Sequence, residues 1–416
     1  MKRSHRHDVV VVGAGLAGIC AAVTAAREGA FVALIEARGQ LGGRIGPQER
    51  AQLMGANRCN FAYSRETGLI DEIMLERLRI DVVGSYETWD RLLRNLVKQE
   101  SRLELFEGVS ITAATKNERG DRVEHVTGNE AQGRSFEKFR GRVFVDCTGQ
   151  ANLARLASAS RLSAEPTSED ADINSVRRLV THLQAKDVGT EVLFQQPDWV
   201  RIDWNQNEVA PKLAVAESFL DNPDQVLTME WAGEIPERQP FDAREIAYAA
   251  WHFIKNEPNL KERSSNYELA WTSSILSSYP APRIEGAHVL SVDDIKGQTP
   301  FCDAIASGGA GFAGNGTFST SPLEQVEQPG PFAIPLSSLY AKNVKNLFFA
   351  GGHASASSDA AFTLQAPLTA ALLGEAVGVT AAKSALSRRI PSSLVEKSES
   401  TALRVSLLRR NHDVWA

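Results

Sequence analysis

Short apolar segments alternate with turn residues along this chain. Four of them, at 9–12, 31–35, 142–149 and 346–352, carry a run of valine, leucine, isoleucine or phenylalanine with glycine close behind. Apolar runs of this length, bounded by turn residues, predict strands buried on both faces. Such strands belong to parallel sheets, whose crossovers are helices. The pattern therefore predicts an α/β fold.

Helical periodicity is found between and after these strands. Residues 16–28 and 367–384 are rich in alanine, leucine and glycine, and apolar residues in 86–99 recur at the spacing of one helical face. A further helix is predicted in the second half of 46–85. Helices that alternate with buried strands indicate a doubly wound, Rossmann-like sheet.

The first strand ends directly in a glycine-rich turn. Gly13, Gly15 and Gly18 form G-x-G-x-x-G, and the next strand ends in Glu36. The first glycine permits a tight turn, the second lets a pyrophosphate approach the backbone, and the third lets the helix lie close to the sheet. Glu36 is placed to accept hydrogen bonds from a ribose. This context predicts a dinucleotide site at the helix N-terminus.

A second glycine pair indicates which dinucleotide is bound. Gly42, Gly43 and Arg44 follow Glu36 closely, and a nicotinamide site does not need them. In FAD sites a loop here passes the pyrophosphate and ribityl chain, and arginine can neutralise phosphate. The strand, glycine pair and helix that begin at 346 would close over the flavin, with the helix N-terminus facing its pyrimidine edge.

These segments resemble the FAD-dependent oxidoreductases of the glutathione-reductase-like superfamily. The resemblance is carried by motifs at 11–18, 41–43, 60–70, 144–154, 283–294, 301–306, 334–339 and 346–382. It implies a Rossmann-like FAD-binding domain with an inserted α+β substrate domain, and FAD as the cofactor. The nominated cofactor-binding residues are Gly13, Gly15, Leu16, Ala17, Gly18, Glu36, Ala37, Gly42, Gly43, Arg44, Val109, Thr148, Gly149, Gly351, Gly352 and Gln365.

The chain departs from that branch of the superfamily at two places. Gln150 stands where the branch usually has aspartate, and Gly352-His353 stands where it often has arginine after Ala-Gly. The second departure changes what faces the flavin. The substrate chemistry of the branch is therefore not carried over to this chain.

Three polar residues are candidates for catalysis. His353 follows the late glycine pair and could act as a base or orient substrate, because an unperturbed histidine titrates near neutrality. Arg283 could bind a substrate anion, and Asp359 could reach flavin or substrate just before the last predicted helix. The alternatives are a contact with flavin phosphate or a neighbouring loop for His353, a structural ion pair for Arg283, and helix capping or surface exposure for Asp359.

The composition divides the chain into four parts. Residues 1–165 and 276–386 are assigned to the FAD-binding domain, and 166–275 to a substrate domain that holds five of the seven tryptophans. The segment 307–332 is rich in Gly, Ser, Thr and Pro and is interpreted as a lid over the flavin. The Arg-rich tail 387–416 is a candidate surface helix or homodimer contact.

Length and charge exclude several other classes. The 416 residues suffice for two or three domains, and 45 basic against 51 acidic residues give a net charge of −6, which argues against nucleic acid as main partner. No stretch is long and apolar enough for a membrane span. The basic residues before the first strand mimic a secretory signal, but the fingerprint glycines lie inside the apolar run, so a retained, cytoplasmic chain is expected.

The cysteines do not suggest metal or disulfide chemistry. Cys20, Cys59, Cys147 and Cys302 lie far apart in sequence, without C-x-x-C spacing. Cys20 and Cys147 are expected to be buried thiols, in a helix and at a strand end. A disulfide reductase mechanism is therefore not expected.

Three functional hypotheses remain. The first is an FAD-dependent oxidase or dehydrogenase that transfers a hydride from a small-molecule substrate to flavin N5. No dedicated nicotinamide domain is expected, so the electron acceptor would be oxygen, a quinone or a partner protein. The second is a flavin amine oxidase, suggested by Arg38 and Gly42-Gly43-Arg44. The third is a flavin-fold binding protein without redox turnover.

Overall fold

The computed structural model describes residues 2–56, 65–81, 85–131, 133, 135–162, 178–202, 216–217, 219–220, 226–232, 242–275, 277–279, 282–309, 312–313, 326–327, 330–396, 399–403 and 407. Its strands are β1 (Lys2–Arg6), β2 (Val9–Val12), β3 (Val32–Glu36), β4 (Leu103–Glu107), β5 (Val109–Lys116), β6 (Val123–Glu130), β7 (Phe136–Arg140), β8 (Val143–Asp146), β9 (Arg178–Asp187), β10 (Leu227–Ala232), β11 (Tyr267–Thr272), β12 (Ser277–Tyr279), β13 (Ala304–Gly308), β14 (Phe312–Ala313), β15 (Val326–Glu327), β16 (Phe332–Pro335) and β17 (Leu347–Phe349). The α-helices are α1 (Leu16–Arg27), α2 (Leu69–Ile80), α3 (Thr88–Gln99), α4 (Asn152–Leu156), α5 (Ala243–Asn256), α6 (Lys261–Ser264), α7 (Val292–Lys296), α8 (Ser358–Leu364) and α9 (Pro367–Ser387).

Five parallel strands form the central sheet in the order β17-β8-β2-β3-β4. Strand β2 lies in the middle, where Val9 is in register with Val32 of β3 and Val143 of β8. Every residue of β2, β3, β8 and β17 is buried. The predicted α/β fold is confirmed, and its continuous apolar strands are those of a sheet covered on both faces.

A second, mixed sheet follows the order β1-β7-β6-β5. Strands β1 and β7 are parallel, whereas β6 pairs antiparallel with both β7 and β5. One face of this sheet is buried, with Phe139 packed on the rings of His5 and Phe106. On β7, Lys138 and Arg140 lie on the other face, because successive side chains of a strand point to opposite sides.

Helices α1 and α9 pack against each other with their backbones in close approach. A Cβ atom at Gly374 would lie 2.1 Å from the carbonyl oxygen of Ala17, and one at Gly378 would lie 2.5 Å from that of Ala21. Only glycine permits this approach. All but the last residue of α1 are therefore buried between the sheet and α9.

The middle of the chain builds a separate hydrophobic cluster. Strand β9 pairs with β10, β11 and β12, and helix α5 packs on this sheet. Leu183, Ala185 and Trp251 lie in the cluster, whereas Trp199 is half exposed. The cluster falls within the predicted 166–275 segment. The boundaries of that domain stay a prediction, because residues 163–177 lie outside the described ranges.

Most sequence-based elements are present with shifted ends. The helix expected at 367–384 extends to Ser387, and the one in 46–85 spans Leu69–Ile80 with Leu78 more than half exposed. In the tail, Leu394 and Leu403 are buried in the main core. Most of the predicted lid at 307–332 lies outside the described residues.

Within the described part of the chain, no single helix is both long and apolar enough to cross a membrane. Helices α8 and α9 reach that length and composition only as a pair, bent by 84°. The residues of α9 are largely buried in the main core.

Candidate functional site

One cavity of about 680 Å³ opens at the carboxyl ends of β2, β3, β8 and β17. In open α/β sheets this edge is where ligands bind. The cavity is lined by every nominated cofactor residue except Gly18, namely Gly13, Gly15, Leu16, Ala17, Glu36, Ala37, Gly42, Gly43, Arg44, Val109, Thr148, Gly149, Gly351, Gly352 and Gln365. Turns that are distant in sequence thus form one site.

Two glycines of the fingerprint are fixed by packing. Gly13 has φ of 97°, and a Cβ atom there would lie 2.5 Å from the carbonyl oxygen of Cys147. A Cβ atom at Gly18 would lie 1.8 Å from the carbonyl oxygen of Gly13. Gly18 therefore shapes the turn from behind without lining the cavity.

The second glycine pair lies against the first turn. Gly42 has φ of 98°, and its N–H donates to the carbonyl oxygen of Ala14 at 2.9 Å. A Cβ atom at Gly43 would lie 2.9 Å from the Cα of Gly15. Because Gly15 and Gly43 both lack side chains, backbone alone lines this part of the cavity, where an extended ligand can approach closely.

Glu36 holds the first turn in place. Its Oε2 accepts a hydrogen bond from the N–H of Ala14 at 2.7 Å, and its Oε1 accepts one from the N–H of Arg38 at 3.0 Å. The side chain is nearly buried and lines the cavity. A carboxylate can accept further hydrogen bonds, so these two contacts leave capacity for ribose hydroxyls.

Charged side chains of both signs pair with one another along the loop that follows β3. Arg38 Nη1 lies 3.6 Å from Glu49 Oε1, and Arg44 Nε lies 3.9 Å from Glu49 Oε2. Arg38 also donates from Nε to Glu36 at 3.4 Å. All four residues line the cavity. The carboxylates orient two guanidinium groups beside the glycine turns, where phosphates would lie.

A buried carboxylate shapes the turn after β8. Asp146 is fully buried; its Oδ1 accepts hydrogen bonds from the N–H and Oγ1 of Thr148, and its Oδ2 accepts one from the N–H of Ala154 at 2.7 Å. The Thr148 Oγ1 in turn accepts from the N–H of Asn152. Asp146 thereby fixes the Thr148-Gly149 wall of the cavity.

The late glycine pair brings Gln365 to the cavity. A Cβ atom at Gly352 would lie 2.3 Å from Gln365 Cγ. The buried Oε1 of Gln365 has no hydrogen-bond partner among the described residues. Pro367 and Ala370, in the first turn of α9, also line the cavity, and this helix has no side-chain cap at its N-terminus. The Gln365 oxygen is available to a bound ligand, whereas Pro367 has no N–H and the N–H of Ala370 already donates to the carbonyl oxygen of Ala366.

The three residues nominated for catalysis do not line this cavity. His353 is fully buried, and its Nε2 donates to the carbonyl oxygen of Asp146 at 3.0 Å. Arg283 is buried and donates to the carbonyl oxygen of Ala356 at 3.1 Å. Asp359 lies in the first turn of α8. Adjacency to the glycine pair in sequence does not bring the His353 ring to the cavity, and Asp359 is only half-buried, outside the lining of the cavity.

Several lining residues were not nominated from the sequence. They include Arg38, Glu49, Asn152, Ile275 and Cys147, of which Arg38 was noted only as part of another family's motif. Burial, and next the charge of Asp146, raise the pKa of the Cys147 thiol, so it stays protonated near neutral pH. In the sequence, a cysteine at the end of an apolar strand was the available signal for Cys147. The expectation that Cys147 and Cys20 are buried thiols is confirmed.

The sheet of the middle segment contacts this region through one face. Gln184 accepts a hydrogen bond from Arg50 Nη1 at 2.8 Å, and the Arg50 guanidinium lies 4.3 Å from the ring centre of Trp271. His182, two positions before Gln184 on β9, lies on the same face. Burial, and next the charge of Arg44, lower the pKa of His182 to about 3. His182 is therefore neutral under ordinary conditions.

The donor set fits FAD. Glycine turns offer backbone N–H groups, two arginines supply positive charge, and Glu36 supplies a ribose acceptor, as a dinucleotide requires. The cradle around Gly13, Gly15 and Gly43 would be filled by side chains at those positions. Among the described residues, no group of three or more His, Cys, Asp or Glu side chains is placed to hold a metal ion.

Comparisons with known proteins agree with this chemistry. The family model described as FAD dependent oxidoreductase matches residues 8–404. No curated protein matches the sequence.

Among solved structures, the flavin-dependent brominase Bmp2 is similar at 13% identity, with 94% of this chain and 82% of that chain covered and a TM-score of 0.50. A geranylgeranyl bacteriochlorophyll reductase-like protein from Thermoplasma acidophilum is similar at 12% identity, with 99% and 83% covered and a TM-score of 0.44. A flavoprotein/dehydrogenase from Cytophaga hutchinsonii is similar at 13% identity, with 92% and 80% covered and a TM-score of 0.46.

The likeness to the brominase shows a shared fold. The family match spans nearly the whole chain, and its cofactor is the one that the cavity fits. The chain is an enzyme that uses FAD, and it belongs to the FAD-dependent oxidoreductases.

Proposed function

We propose that this enzyme is an oxidase or dehydrogenase that takes a hydride from a C–H bond next to nitrogen or oxygen in a small molecule. The observation that carries the proposal is the single cavity in which the three glycine turns and the first turn of α9 meet. Bound FAD supplies the two-electron redox chemistry, and the protein supplies binding, orientation and charge.

The residues that line the cavity have separate roles in holding FAD. Gly13, Gly15 and the 42–43 pair present backbone to the pyrophosphate, and Arg44 neutralises its charge. Glu36 accepts hydrogen bonds from the ribose. The geometry that supports these roles is the close approach of Gly43 to Gly15 and the buried carboxylate of Glu36.

The late turn has a different role. Gln365 offers an unpartnered buried oxygen, and the N-terminus of α9, whose first turn lines the cavity, places the positive end of the helix dipole beside it. Negative charge develops on the pyrimidine edge of the flavin ring when it is reduced, and a helix N-terminus stabilises it. His353 is proposed as a positioning residue, because its hydrogen bond to Asp146 ties the late turn to the end of β8.

Direct catalysis by His353, Arg283 or Asp359 stays a prediction. None of these three residues lines the cavity, so the cavity does not support that role. The acceptor of the electrons is proposed to be oxygen, a quinone or a partner protein.

The test is the visible absorption spectrum of the FAD-loaded protein during anaerobic addition of alcohols, amino acids and amines, each class separately. Bleaching of the flavin bands by one class would support hydride transfer and identify the substrate class, with amines pointing to the amine oxidase hypothesis. Bands that respond to dithionite but to no substrate class would contradict the proposal. Gln365→Ala should slow the reduction, whereas the exposed Gln99→Ala should leave it unchanged.

A further inference from the structure

A second groove, of about 710 Å³, lies at the opposite end of the central sheet from the FAD cavity. It is lined by Val143 at the start of β8 and by Asn346 just before β17. The FAD cavity is lined by Thr148 and Gly351, which follow the same two strands. The two sites share no lining residue, so the groove lies outside the proposed redox site.

The groove is strongly basic in a chain whose net charge is −6. Among its lining residues the only carboxylate is Glu124. The cationic lining residues are Arg6, Arg122, Arg140, Arg142, Lys345, Arg388 and Arg389. Such a local excess of cationic side chains creates a positive potential, although the net charge of the chain is negative.

Ion pairs within the fold account for some of these cations. Arg142 Nη1 lies 2.7 Å from Asp8, and Lys345 Nζ lies 2.8 Å from Asp121. Arg389 Nη1 lies 2.7 Å from Glu399. The charges of these three side chains are balanced by acidic partners within the protein, so they do not require a ligand.

Four exposed arginines are left without an acidic partner among the described residues: Arg6, Arg122, Arg140 and Arg388. Arg6 and Arg140 are register partners on the neighbouring strands β1 and β7. Like charges on facing positions of a sheet repel and destabilise the pair. A ligand with several negative charges would remove this cost.

The floor of the groove is rigid. Asn346 is buried, and its Nδ2 donates to the carbonyl oxygens of Val123 and Arg142 while its Oδ1 accepts from the N–H of Val123. These hydrogen bonds tie the start of β17 to β6 and to the residue before β8. The arginines around this floor are therefore carried by a fixed backbone, which lowers the entropy lost on binding.

We infer that this groove binds an oligophosphate, either free or as part of a nucleotide. The guanidinium group of arginine presents N–H donors in a planar arrangement that matches phosphate oxygens, and several arginines line this groove. The volume suits a small molecule. A multivalent anion is favoured over a single carboxylate because four cations lack a partner.

The test is a calorimetric titration of the FAD-loaded protein with inorganic tripolyphosphate at constant ionic strength. We expect saturable binding and an unchanged flavin spectrum. Arg6→Gln combined with Arg140→Gln should weaken binding by about tenfold or more, since each substitution removes a charge-assisted hydrogen bond. Arg122→Gln with Arg388→Gln is a second pair on the same groove, should the first fail to fold.

The matched control is Arg79→Gln combined with Arg244→Gln. Both are exposed arginines outside the groove, paired with Glu76 and Asp242, and the net charge changes equally. The control should bind tripolyphosphate as the parent protein does. A nucleoside triphosphate that binds more tightly than tripolyphosphate would assign the site to nucleotides, and equal affinity would assign it to the free anion.

Three results would overturn the inference. The first is no saturable binding of tripolyphosphate, including the case in which only long polyanions such as heparin bind. The second is equal weakening in the groove and control variants, since that would reflect general charge. The third is release of FAD during the titration, which would place the anion in the dinucleotide site.

Discussion

The carboxylate of Glu36 accepts a hydrogen bond from the N–H of Ala14 at 2.7 Å, which joins the end of one central strand to the turn after its neighbour. Ala14 lies between the first two fingerprint glycines, so this contact fixes the turn in which those glycines act. The same carboxylate is the proposed ribose acceptor. Glu36 therefore serves both the shape of the turn and the binding of FAD.

Glu36→Gln should weaken FAD binding by about tenfold, because the amide has only one acceptor oxygen for the turn and the ribose together. The measurement is a fluorescence titration of the apoprotein with FAD. Glu268→Gln, an exposed glutamate on β11, is the control and should bind FAD as the parent does. Equal affinities for the two variants would contradict the role of Glu36.

Gly18→Ala should lower the free energy of unfolding by about 3 kcal/mol, since the new Cβ would lie 1.8 Å from the carbonyl oxygen of Gly13 and helix α1 would have to move. Gly39→Ala meets no atom within 4 Å and is the matched control. Denaturant unfolding of both variants measures the difference. A Gly18→Ala protein as stable as the control would show that the turn can relax.

His182→Asn should flatten the dependence of stability on pH. The folded pKa is lowered to about 3 from an ordinary value of 6.5, chiefly by burial and next by the charge of Arg44. The unfolded chain therefore takes up a proton first as pH falls. The stability associated with neutral His182 is fully present above about pH 6.5 and is lost as the pH approaches 3.

Between about pH 7.5 and about pH 5, the parent protein should lose about 2 kcal/mol more than His182→Asn. His7, whose pKa is also lowered mainly by burial, is unchanged in both proteins and cancels in the comparison. Denaturant unfolding across this pH range gives the two slopes. Parallel slopes would mean that the pKa of His182 is not lowered in the folded protein.

Alkylation should separate the described thiols by their surroundings. Burial raises the pKa of Cys20 and of Cys147, whereas Cys302 is exposed. Because the thiolate is the nucleophile, iodoacetamide at mildly alkaline pH should label Cys302 and leave the other two unmodified. Peptide mass spectrometry reads the pattern. Early labelling of Cys147 in the native protein would contradict its protonated state.

The glycine turns were predictable from the sequence because their geometry leaves only one residue type. Positive φ at Gly13 and Gly42, and the contact of Gly43 with Gly15, exclude every side chain. The apolar strands before them were predictable for a related reason, since burial on both faces strongly favours apolar residues. These restrictions on residue type made the fold and the cofactor predictable from the sequence.

The remaining site residues depend on contacts between distant segments. Glu49 pairs with Arg38 and Arg44 without any distinctive spacing, and Ile275 reaches the cavity from the middle of the chain. His353 shows that proximity in sequence is not sufficient either. Its position next to the late glycine pair did not reveal the direction of its imidazole ring. Direction is set by the turn and by its partner, Asp146.

The contact of Gly374 and Gly378 with helix α1 also has a consequence for synthesis on the ribosome. Helix α1 is translated long before α9, the helix that covers it, because strands β3 to β17 lie between them in the chain. Until then the alanine-rich surface of α1 faces water or a chaperone, and the phosphate-binding turn is built on a partly covered helix. The cavity is therefore complete only after α9 has been translated, since the first turn of α9 lines it.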